Sequence, residues 1–357
     1  MSAPPGPTAP APDGPEAPQA GPEDPQAGRS RPATIDDVAR AAGVSRQTVS
    51  RAINDKPEIG PLTRDRVLSV AREMGYRPSR FARGLASRGV TSVGLVIADV
   101  LNPFFPEVVA GVMEAADERD WQVAVYSTGA ALEREMAVTR ALTQHVDACV
   151  AFLLDERAVD QVRAAGIPVV LVDHDRRQGV AGGVRIDFAS GIRQAIGHLI
   201  ERGHRHLAMF DDGARHDTDS AGSRHTLFLD VAQEYGLPAR EGWVVPCDNS
   251  LQGGARAMDL LVESRPEATA VLAYNDLIGI GAMRRARDHG RSVPDDCAFV
   301  GCDGLTLGEL VDPPLTTLHI DKRHLGRAAV RQLDALLSGK EPAETVIVPR
   351  LVVRASS

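Results

Sequence analysis

Two periodicities of apolar residues divide the chain near residue 90. Between Thr34 and Tyr76, apolar residues recur every three or four positions in three short runs, which predicts three amphipathic helices. From Val93 onward, short apolar runs alternate with helical patterns. Such alternation is typical of parallel sheets covered by helices on both faces. The pattern therefore predicts a small all-α head followed by a larger α/β body.

Capping residues mark where the helices of the head begin and end. Thr34 is a favoured N-cap, with Asp37 three positions later, and Gly43 is suited to end the first helix. Ser45 is expected to cap a second helix after a tight Gly-Val-Ser turn. A third helix should start at Gly60 and Pro61 because proline is favoured at the first helical position. The side chains expected to point inward are those of Ile35, Val38, Ala39, Ala42, Val49, Ile53, Val67, Val70, Ala71 and Met74.

The strand-like runs of the body share a polar residue at their carboxyl ends. Eight runs read as strands: VGLVIAD, WQVAVYS, VDACVAFLL, PVVLVD, HLAMFDD, WVVPCD, TAVLAYND and CAFVGCD. This number of units favours two similar subdomains over one sheet. Ligands of open α/β sheets bind outside the carboxyl ends of the strands. Any one polar end residue is also explained as a turn former or helix cap, but together they predict a cleft lined by Asp99, Asp173, Asp248, Asn275 and Asp303.

Composition places the chain among globular proteins, with an unusual N-terminal segment. Residues 1–32 contain ten prolines among Ala and Gly, which predicts a disordered tail. The sequence shows no secretory leader and no apolar run of the roughly 18 residues that a membrane helix needs. The four cysteines form no C-x-x-C pair and are expected to be buried, reduced thiols. A cytoplasmic location with no membrane partner is the resulting expectation.

Charge is distributed unevenly and points to nucleic acid. The chain carries a net charge of −8, whereas residues 33–90 hold eleven Lys or Arg against six Asp or Glu. A basic unit joined to an acidic body is typical of a DNA-binding head on a sensor domain.

The second helix of the head offers side chains that can read bases. Arg pairs with guanine and Gln with adenine through two hydrogen bonds each in the major groove. Arg46, Gln47 and Arg51 supply these groups, and Gln47 and Arg51 are four residues apart. Short polar side chains suited to this surface and to phosphates, which set position and not sequence, are Thr34, Ser45, Thr48, Ser50 and Asn54.

The sequence carries no recognisable catalytic or cofactor motif. It contains no P-loop, no G-x-S-x-G, no H-E-x-x-H and no G-x-G-x-x-G. The histidines at 198, 204 and 206 have no Cys or acidic residue at metal-ligand spacing beside them. We therefore expect no enzyme activity, no cofactor and no metal.

Several motifs along the chain resemble those of one known protein family. The stretches TIDDVARAAGVSRQTVSRAIND and TRDRVLSVAREMGYRP resemble the head of the lactose-repressor (LacI/GalR) family. The likeness continues through VGLVIADVLNPFFPEVVAGV, HLIERGHRHLAMF, AVLAYNDLIGIGAM, VPDDCAFVGCDG and PPLTTLHI. The resemblance implies a helix-turn-helix head and a periplasmic-binding-protein-like body of two Rossmann-type subdomains. It also implies three chain crossovers between them, placed near residues 186, 320 and 342.

The resemblance implies a domain organisation and a partner set. The domains would be a tail (1–32), a DNA-binding domain (33–77), a hinge helix and linker (78–90), and an effector-binding and dimerisation domain (91–357). The protein would be a homodimer on a near-palindromic operator, usually a repressor, whose affinity a small molecule changes. The segment after Tyr76 is about two turns long and contains Gly84, so it is expected to be unstable alone.

The resemblance also implies the sites. Arg46, Gln47 and Arg51 would read bases, and Leu85 of the hinge would wedge into the minor groove. The effector would contact Asp99, Phe104, Asp173, Ser220, Arg224, Asn249, Asn275 and Asp303.

Several positions depart from the family pattern. Gly60 replaces the usual Ser cap, and Leu227 stands where the family has a glycine after the effector arginine. Asn249 occupies a position where an aromatic ring often stacks on the ligand. The sequence given shows no closing leucine heptads, so a tetramer-forming tail is not expected.

Alternative functions and ligands remain open. A transport-type binding protein would share the body, and an enzyme fused to a DNA-binding head would share both parts. Neither fits a chain with this head and without an export signal or catalytic motif. A cleft rich in Asp, Asn and Arg favours a sugar or polyol, whose hydroxyls such side chains bind. The alternative is a corepressor, such as a nucleobase-like metabolite.

Overall fold

The structure, a computed structural model, describes residues 1, 34–53, 59–74, 91–173, 182–213, 223–238 and 241–357. The chain divides into two compact units, Met1–Ser79 and Arg80–Ser357. These are the head and the body. The predicted tail, apart from Met1, and the predicted hinge at 78–90 lie outside the described residues.

The described part of the head contains three helices: α1 (Ile35–Ala42), α2 (Arg46–Ile53) and α3 (Pro61–Glu73). The predicted caps are present. Thr34 and Asp37 form a reciprocal capping box, Gly43 ends α1 with φ of 62°, and the Ser45 hydroxyl accepts from the Thr48 amide at 3.1 Å. Pro61 starts α3 behind Gly60, which supplies no side-chain cap.

Valines from all three helices form the centre of the head. Val38, Val49 and Val67 are fully buried, and alanines fill the space between them. The prediction for one core residue is wrong. Met74 is more than one-third exposed and lies just beyond Glu73, the last residue of α3.

The described part of the body contains two six-stranded sheets. The strands are β1 (Ser92–Ile97), β2 (Gln122–Ser127), β3 (Ala148–Ala151), β4 (Val169–Val172), β5 (Gly182–Ile186), β6 (Leu207–Asp212), β7 (Val244–Cys247), β8 (Ala270–Ala273), β9 (Ala298–Asp303), β10 (Thr316–His319), β11 (Thr345–Ile347) and β12 (Arg350–Val352). The first sheet has the order β11-β5-β4-β3-β1-β2 and the second β12-β10-β9-β8-β6-β7. Neighbouring strands are parallel except for β10 and β12. The eight predicted strands are all present, and β5, β10, β11 and β12 are additional.

Helices cover both faces of each sheet. They are α4 (Phe104–Asp117), α5 (Leu132–Leu142), α6 (Glu156–Ala164), α7 (Phe188–Glu201), α8 (Arg224–Glu234), α9 (Leu251–Ser264), α10 (Asp276–Asp288), α11 (Leu307–Leu310) and α12 (Lys322–Leu337). Alternate residues of one strand enter different apolar cores: Leu95 packs on one side of the first sheet and Val96 on the other. This double burial explains why the parallel strands read as continuous apolar runs.

Along the described strands, the chain passes between the two sheets three times. It leaves the first sheet after β5, returns to it after β10, and crosses again between β11 and β12. The first two crossings agree with the positions predicted near residues 186 and 320. The third lies between Ile347 and Arg350 and not near 342, because β11 occupies the intervening residues. We call the parts built on the first and second sheets subdomain 1 and subdomain 2.

Each subdomain contains a pair of helices that approach through glycines. In subdomain 2, a Cβ atom added at Gly254 or Gly281 would overlap a backbone oxygen of the opposite helix, α10 or α9. In subdomain 1, Gly111 and Gly326 have the same relation between α4 and α12. The helix backbones can therefore touch directly at these four positions.

Gly281→Ala is expected to lower the free energy of unfolding by about 1–3 kcal/mol, since overpacked cores lose stability by that amount. Thermal unfolding followed by circular dichroism measures the loss. The matched control is Gly197→Ala in α7, where an added Cβ meets the Tyr235 hydroxyl at 3.5 Å, an ordinary contact. Equal stability of the two variants would show that α9 and α10 are not in backbone contact.

Candidate functional site

A cleft of about 310 Å³ opens between the two subdomains at the carboxyl ends of their strands. This volume lies at the small end of the range for ligand pockets, about 300–1,000 Å³. Subdomain 1 contributes the loop after β1, the start of α4 and the ends of β3 and β4. Subdomain 2 contributes the ends of β6 to β9 and the start of α8.

The structure brings most of the predicted effector residues into this one cleft. The lining includes Asp99, Phe104, Asp173, Arg224, Asn249, Asn275 and Asp303, together with the strand-end residue Asp248. Ser220 lies outside the described residues. The sequence indicated the strand ends correctly because parallel strands place their carboxyl ends at one edge of a sheet. The binding roles of these residues stay predictions.

The wall from subdomain 1 is largely aromatic. Phe104, Phe105 and Phe152 pack edge to face, with ring centroids 5.2–6.4 Å apart and interplanar angles near 90°. Asn102 positions the start of α4, since its Oδ1 accepts from the Phe104 amide at 2.9 Å. Of the three rings, sequence reasoning identified only Phe104. Phe105 stands next to it in the same NPFF stretch and was not identified.

Arg224 stands on the opposite wall between two aromatic rings. Its guanidinium carbon lies 3.7 Å from the Phe188 ring centroid and 3.9 Å from that of Tyr274. The Nη1 atom donates to the Tyr274 carbonyl at 2.6 Å, and Nη2 lies 4.0 Å from Asp173 Oδ2 across the cleft. Stacking and hydrogen bonding leave the planar group little freedom, so the orientation of the guanidinium in the cleft is fixed.

Electrostatics keep Arg224 charged despite its burial. Desolvation by itself lowers the pKa of the guanidinium. The neighbouring groups of Tyr274, Cys302, Asp173 and Asp303 outweigh this effect, and the pKa is raised. Arg224 is the only cation among the lining residues of the described cleft, which also include the six carboxyl groups of Asp99, Glu135, Asp173, Asp212, Asp248 and Asp303.

A chain of amides spans the floor of subdomain 2. Asn275 caps α10 through Oδ1, which accepts from the Ile278 amide at 3.0 Å. Its Nδ2 donates to Asn249 Oδ1 at 2.5 Å, and Asn249 Nδ2 donates to Asp212 Oδ2 at 3.2 Å. Asn249 therefore takes part in a polar network on the floor of the cleft.

Asp303 ends β9 in an unusual backbone conformation. Its φ of 123° lies in a region that L residues rarely adopt. Burial and the nearby Asp276 raise the pKa of the Asp303 carboxyl well above its ordinary value. Burial also raises the pKa of Asp276 to about 6, although Thr317 Oγ1 and the Leu305 amide both donate to it.

The predicted DNA-binding side chains lie on the exposed side of the head. Arg46, Gln47 and Arg51 of α2 are exposed, while Thr48 and Ser50 are half-buried. Thr34 and Ser45 already act as helix caps through their side chains, so a phosphate contact would be an additional role. Asn54 and Leu85 lie outside the described residues.

The histidines singled out in the sequence have individual partners. His198 contacts the Ser357 hydroxyl at 2.9 Å, His204 contacts that of Thr269 at 3.1 Å, and the ring of His206 packs 5.7 Å from Trp243. Within the described ranges, no cluster of three or more His, Cys, Asp or Glu residues is arranged to hold a metal ion.

All four cysteines are free. Cys247 is only half-buried, whereas the sequence predicted that it would be buried. No helix in the described part of the chain has the length and apolar character to cross a membrane.

Comparison with known proteins places both units in one family. Residues 34–79 match the model of bacterial regulatory proteins of the lacI family, and residues 196–357 match a periplasmic binding protein-like domain. The transcriptional regulator CelR of Thermobifida fusca is 34% identical over 92% of this chain and 99% of its own. Catabolite control protein A of Priestia megaterium is 30% identical over 88% of this chain and 95% of its own.

Solved structures extend the likeness to three dimensions. A CelR–cellobiose complex aligns with 91% of this chain and 100% of its own, at 32% identity and a TM-score of 0.68. The lac repressor dimer bound to operator and the anti-inducer ONPF aligns with 91% of this chain and 99% of its own, at 26% identity and a TM-score of 0.67. The head, the two-sheet body and nearly full-length similarity agree. The chain belongs to the LacI family of bacterial DNA-binding transcriptional regulators.

Proposed function

We propose that the protein is a cytoplasmic homodimeric repressor whose affinity for a near-palindromic operator changes when a small sugar or polyol binds in the cleft. Residues 33–77 bind DNA, residues 91–357 bind the effector and pair the subunits, and residues 78–90 join the two. The chemistry is binding and not catalysis. The observation that carries the proposal is the cleft itself, where Arg224 and polar strand ends from both subdomains surround one cavity.

The charge of the cleft favours an uncharged polyhydroxy ligand. Carboxylates and amide oxygens accept hydrogen bonds from hydroxyl groups, and the lining is rich in both. Among the described lining residues, carboxyl groups outnumber the single guanidinium, so the cleft disfavours an anion such as a sugar phosphate. The Phe104–Phe105–Phe152 wall supplies apolar area for the carbon face of a sugar ring, a role that Asn249 cannot fill in subdomain 2. The likeness to a cellobiose-bound regulator supports the same ligand class.

A nucleobase-like corepressor is the second candidate. The aromatic wall opposite the Asn249–Asn275 pair offers a stacking surface and amide groups that match the edge of a base. The two classes differ in the sign of their effect, since an inducer weakens operator binding and a corepressor strengthens it.

The test begins with selection of an operator from random duplex DNA by the full-length protein. Fluorescence anisotropy then measures operator affinity with cellobiose, lactose, glucose, glucose 6-phosphate, hypoxanthine or guanine at saturating concentration. We expect a neutral sugar to change the operator dissociation constant by roughly 5- to 150-fold, the usual range of allosteric coupling, and the phosphate ester to act more weakly than glucose. A response to the bases alone would replace the sugar proposal with the corepressor. No response to any of the six would contradict effector control through this cleft.

A further inference from the structure

A fully buried lysine lies directly behind the cleft, at the point where the chain crosses between the subdomains. Lys322 is the first residue of α12, and its side chain has no solvent exposure. Nothing in the sequence distinguished it from the surface arginines that follow it on the same helix. Burial of an ammonium group is costly unless polar partners replace its water, so its contacts define its role.

The partners of Lys322 belong to different parts of the body. Its Nζ donates to the Asp303 carbonyl at 2.7 Å and lies 3.4 Å from the carbonyls of Gly304 and Ile320. It also forms an ion pair with Glu107 Oε1 at 3.3 Å. Asp303 ends β9 of subdomain 2 and Gly304 follows it, Ile320 lies on the crossover, and Glu107 lies in the first turn of α4 in subdomain 1. One ammonium group therefore connects the two subdomains.

The contact with Asp303 bears on the cleft because of the backbone conformation there. Asp303 has φ of 123° and Gly304 has φ of 70°. Such a conformation persists for a non-glycine residue only where surrounding contacts hold it. The Lys322 ammonium donates to both carbonyls of this turn, while the Asp303 side chain lines the cleft. The positive charge also counteracts the rise in the pKa of the Asp303 carboxyl that burial causes.

Glu107 fixes the lysine from the other side. It lies one turn along α4 from Phe104, whose ring forms part of the aromatic wall. Helix α4 packs against α12 through Gly111 and Gly326, so Glu107 and Lys322 move together with subdomain 1. A displacement of subdomain 1 relative to subdomain 2 must therefore alter the bonds from Lys322 to the Asp303–Gly304 turn.

We propose that Lys322 is a positioning residue for the effector response: its ammonium, held by Glu107, ties the Asp303–Gly304 turn to subdomain 1 and couples Asp303 in the cleft to the relative position of the subdomains. The inference rests on the proposed effector function for its regulatory meaning. The contacts of Lys322 with Glu107 and with the Asp303–Gly304 turn, which we call the joint, do not depend on that function.

The first measurement needs no effector. Hydrogen–deuterium exchange of the full-length protein is compared between the wild type, Glu107→Gln and Lys322→Met. The Gly304 and Leu305 amides donate to Thr317 Oγ1 and Asp276 Oδ2, and we expect both to exchange faster by roughly fivefold or more in each variant, as loss of a charged hydrogen bond implies. Unchanged exchange at these two amides in Glu107→Gln would overturn the joint, even if Lys322→Met failed to fold.

The second measurement addresses coupling, with cellobiose as the probe. The ratio of operator dissociation constants with and without saturating cellobiose should fall by roughly 2- to 30-fold in Glu107→Gln. The matched control is Glu114→Gln, which removes ion pairs to Arg323 and Arg327 between the same two helices but none at the cleft. A purely structural role would lower the melting temperature of both variants and leave both ratios at the wild-type value, which would overturn the coupling role.

The two proposals fail in different ways. A wild-type protein that responds to none of the probe ligands defeats the effector function and, with it, the regulatory role of Lys322, whereas the exchange experiment still decides the joint. The inference about Lys322 alone fails if the wild-type protein responds to cellobiose but Glu107→Gln changes neither amide hydrogen exchange nor the ratio of operator dissociation constants.

Discussion

Replacing Arg224 with methionine is expected to reduce effector affinity by roughly 100-fold or more. The guanidinium is the one cation lining the described cleft, and it is fixed between Phe188 and Tyr274. A charge-assisted hydrogen bond contributes about 1.5–3 kcal/mol, and the planar group can form two of them with a pair of hydroxyls. Calorimetric titration of the responsive sugar into the protein measures the loss.

Two further variants separate recognition from stability. Arg224→Lys keeps the positive charge but loses the planar fork, so its affinity should fall nearly as far. Arg193→Met removes an exposed arginine that pairs with Glu234 and should bind the effector as the wild type does. All three proteins should bind the operator without effector. Wild-type effector affinity in a folded Arg224→Met protein would show that the ligand binds elsewhere.

Arg51→Ala is expected to weaken operator binding by roughly 30-fold or more while affecting random DNA far less. Arg51 is exposed on α2 of the head, where its guanidinium can form two hydrogen bonds with a guanine. Loss of such a pair costs about 1–3 kcal/mol per half-site, and a dimer on a near-palindromic operator loses it twice. Anisotropy titrations on the selected operator and on a scrambled duplex provide the comparison.

The control for charge is Arg72→Ala. Arg72 is an exposed arginine of α3 whose Nε donates to the Leu68 carbonyl within its own helix. Its loss removes the same charge and should affect the two duplexes equally. If Arg51→Ala also weakens both duplexes by the same factor, the residue contacts phosphate and the predicted base contact is wrong.

Local signals in the sequence were sufficient to predict the helices of the head and the residues along one edge of the cleft. Caps at Thr34 and Ser45 act within a few residues, so they can be identified without tertiary information. The strand-end residues followed from a general property of parallel sheets and needed no knowledge of strand order. The third crossover was placed too early because β11 and β12 have only three residues each, too few for a periodic pattern.

The charged groups that the sequence did not indicate depend on distant parts of the chain. Lys322 is surrounded by carbonyls at 303, 304 and 320 and by Glu107. The stacking of Arg224 requires Phe188 and Tyr274, which precede and follow it by more than thirty residues. Tertiary packing alone brings such partners together, and no local pattern encodes it. The sequence indicated Asp173 and Arg224 as separate site residues. It did not indicate that their side chains approach each other across the cleft.

The most direct test of the central claim is the affinity of the responsive sugar for the protein with and without bound operator. If one ligand in the cleft changes operator binding, thermodynamic linkage requires the operator to change the affinity for that ligand by the same factor. Calorimetric titration should therefore give two sugar dissociation constants whose ratio equals the ratio measured for the operator by anisotropy. Equal sugar affinities for the free and the operator-bound protein would contradict the account.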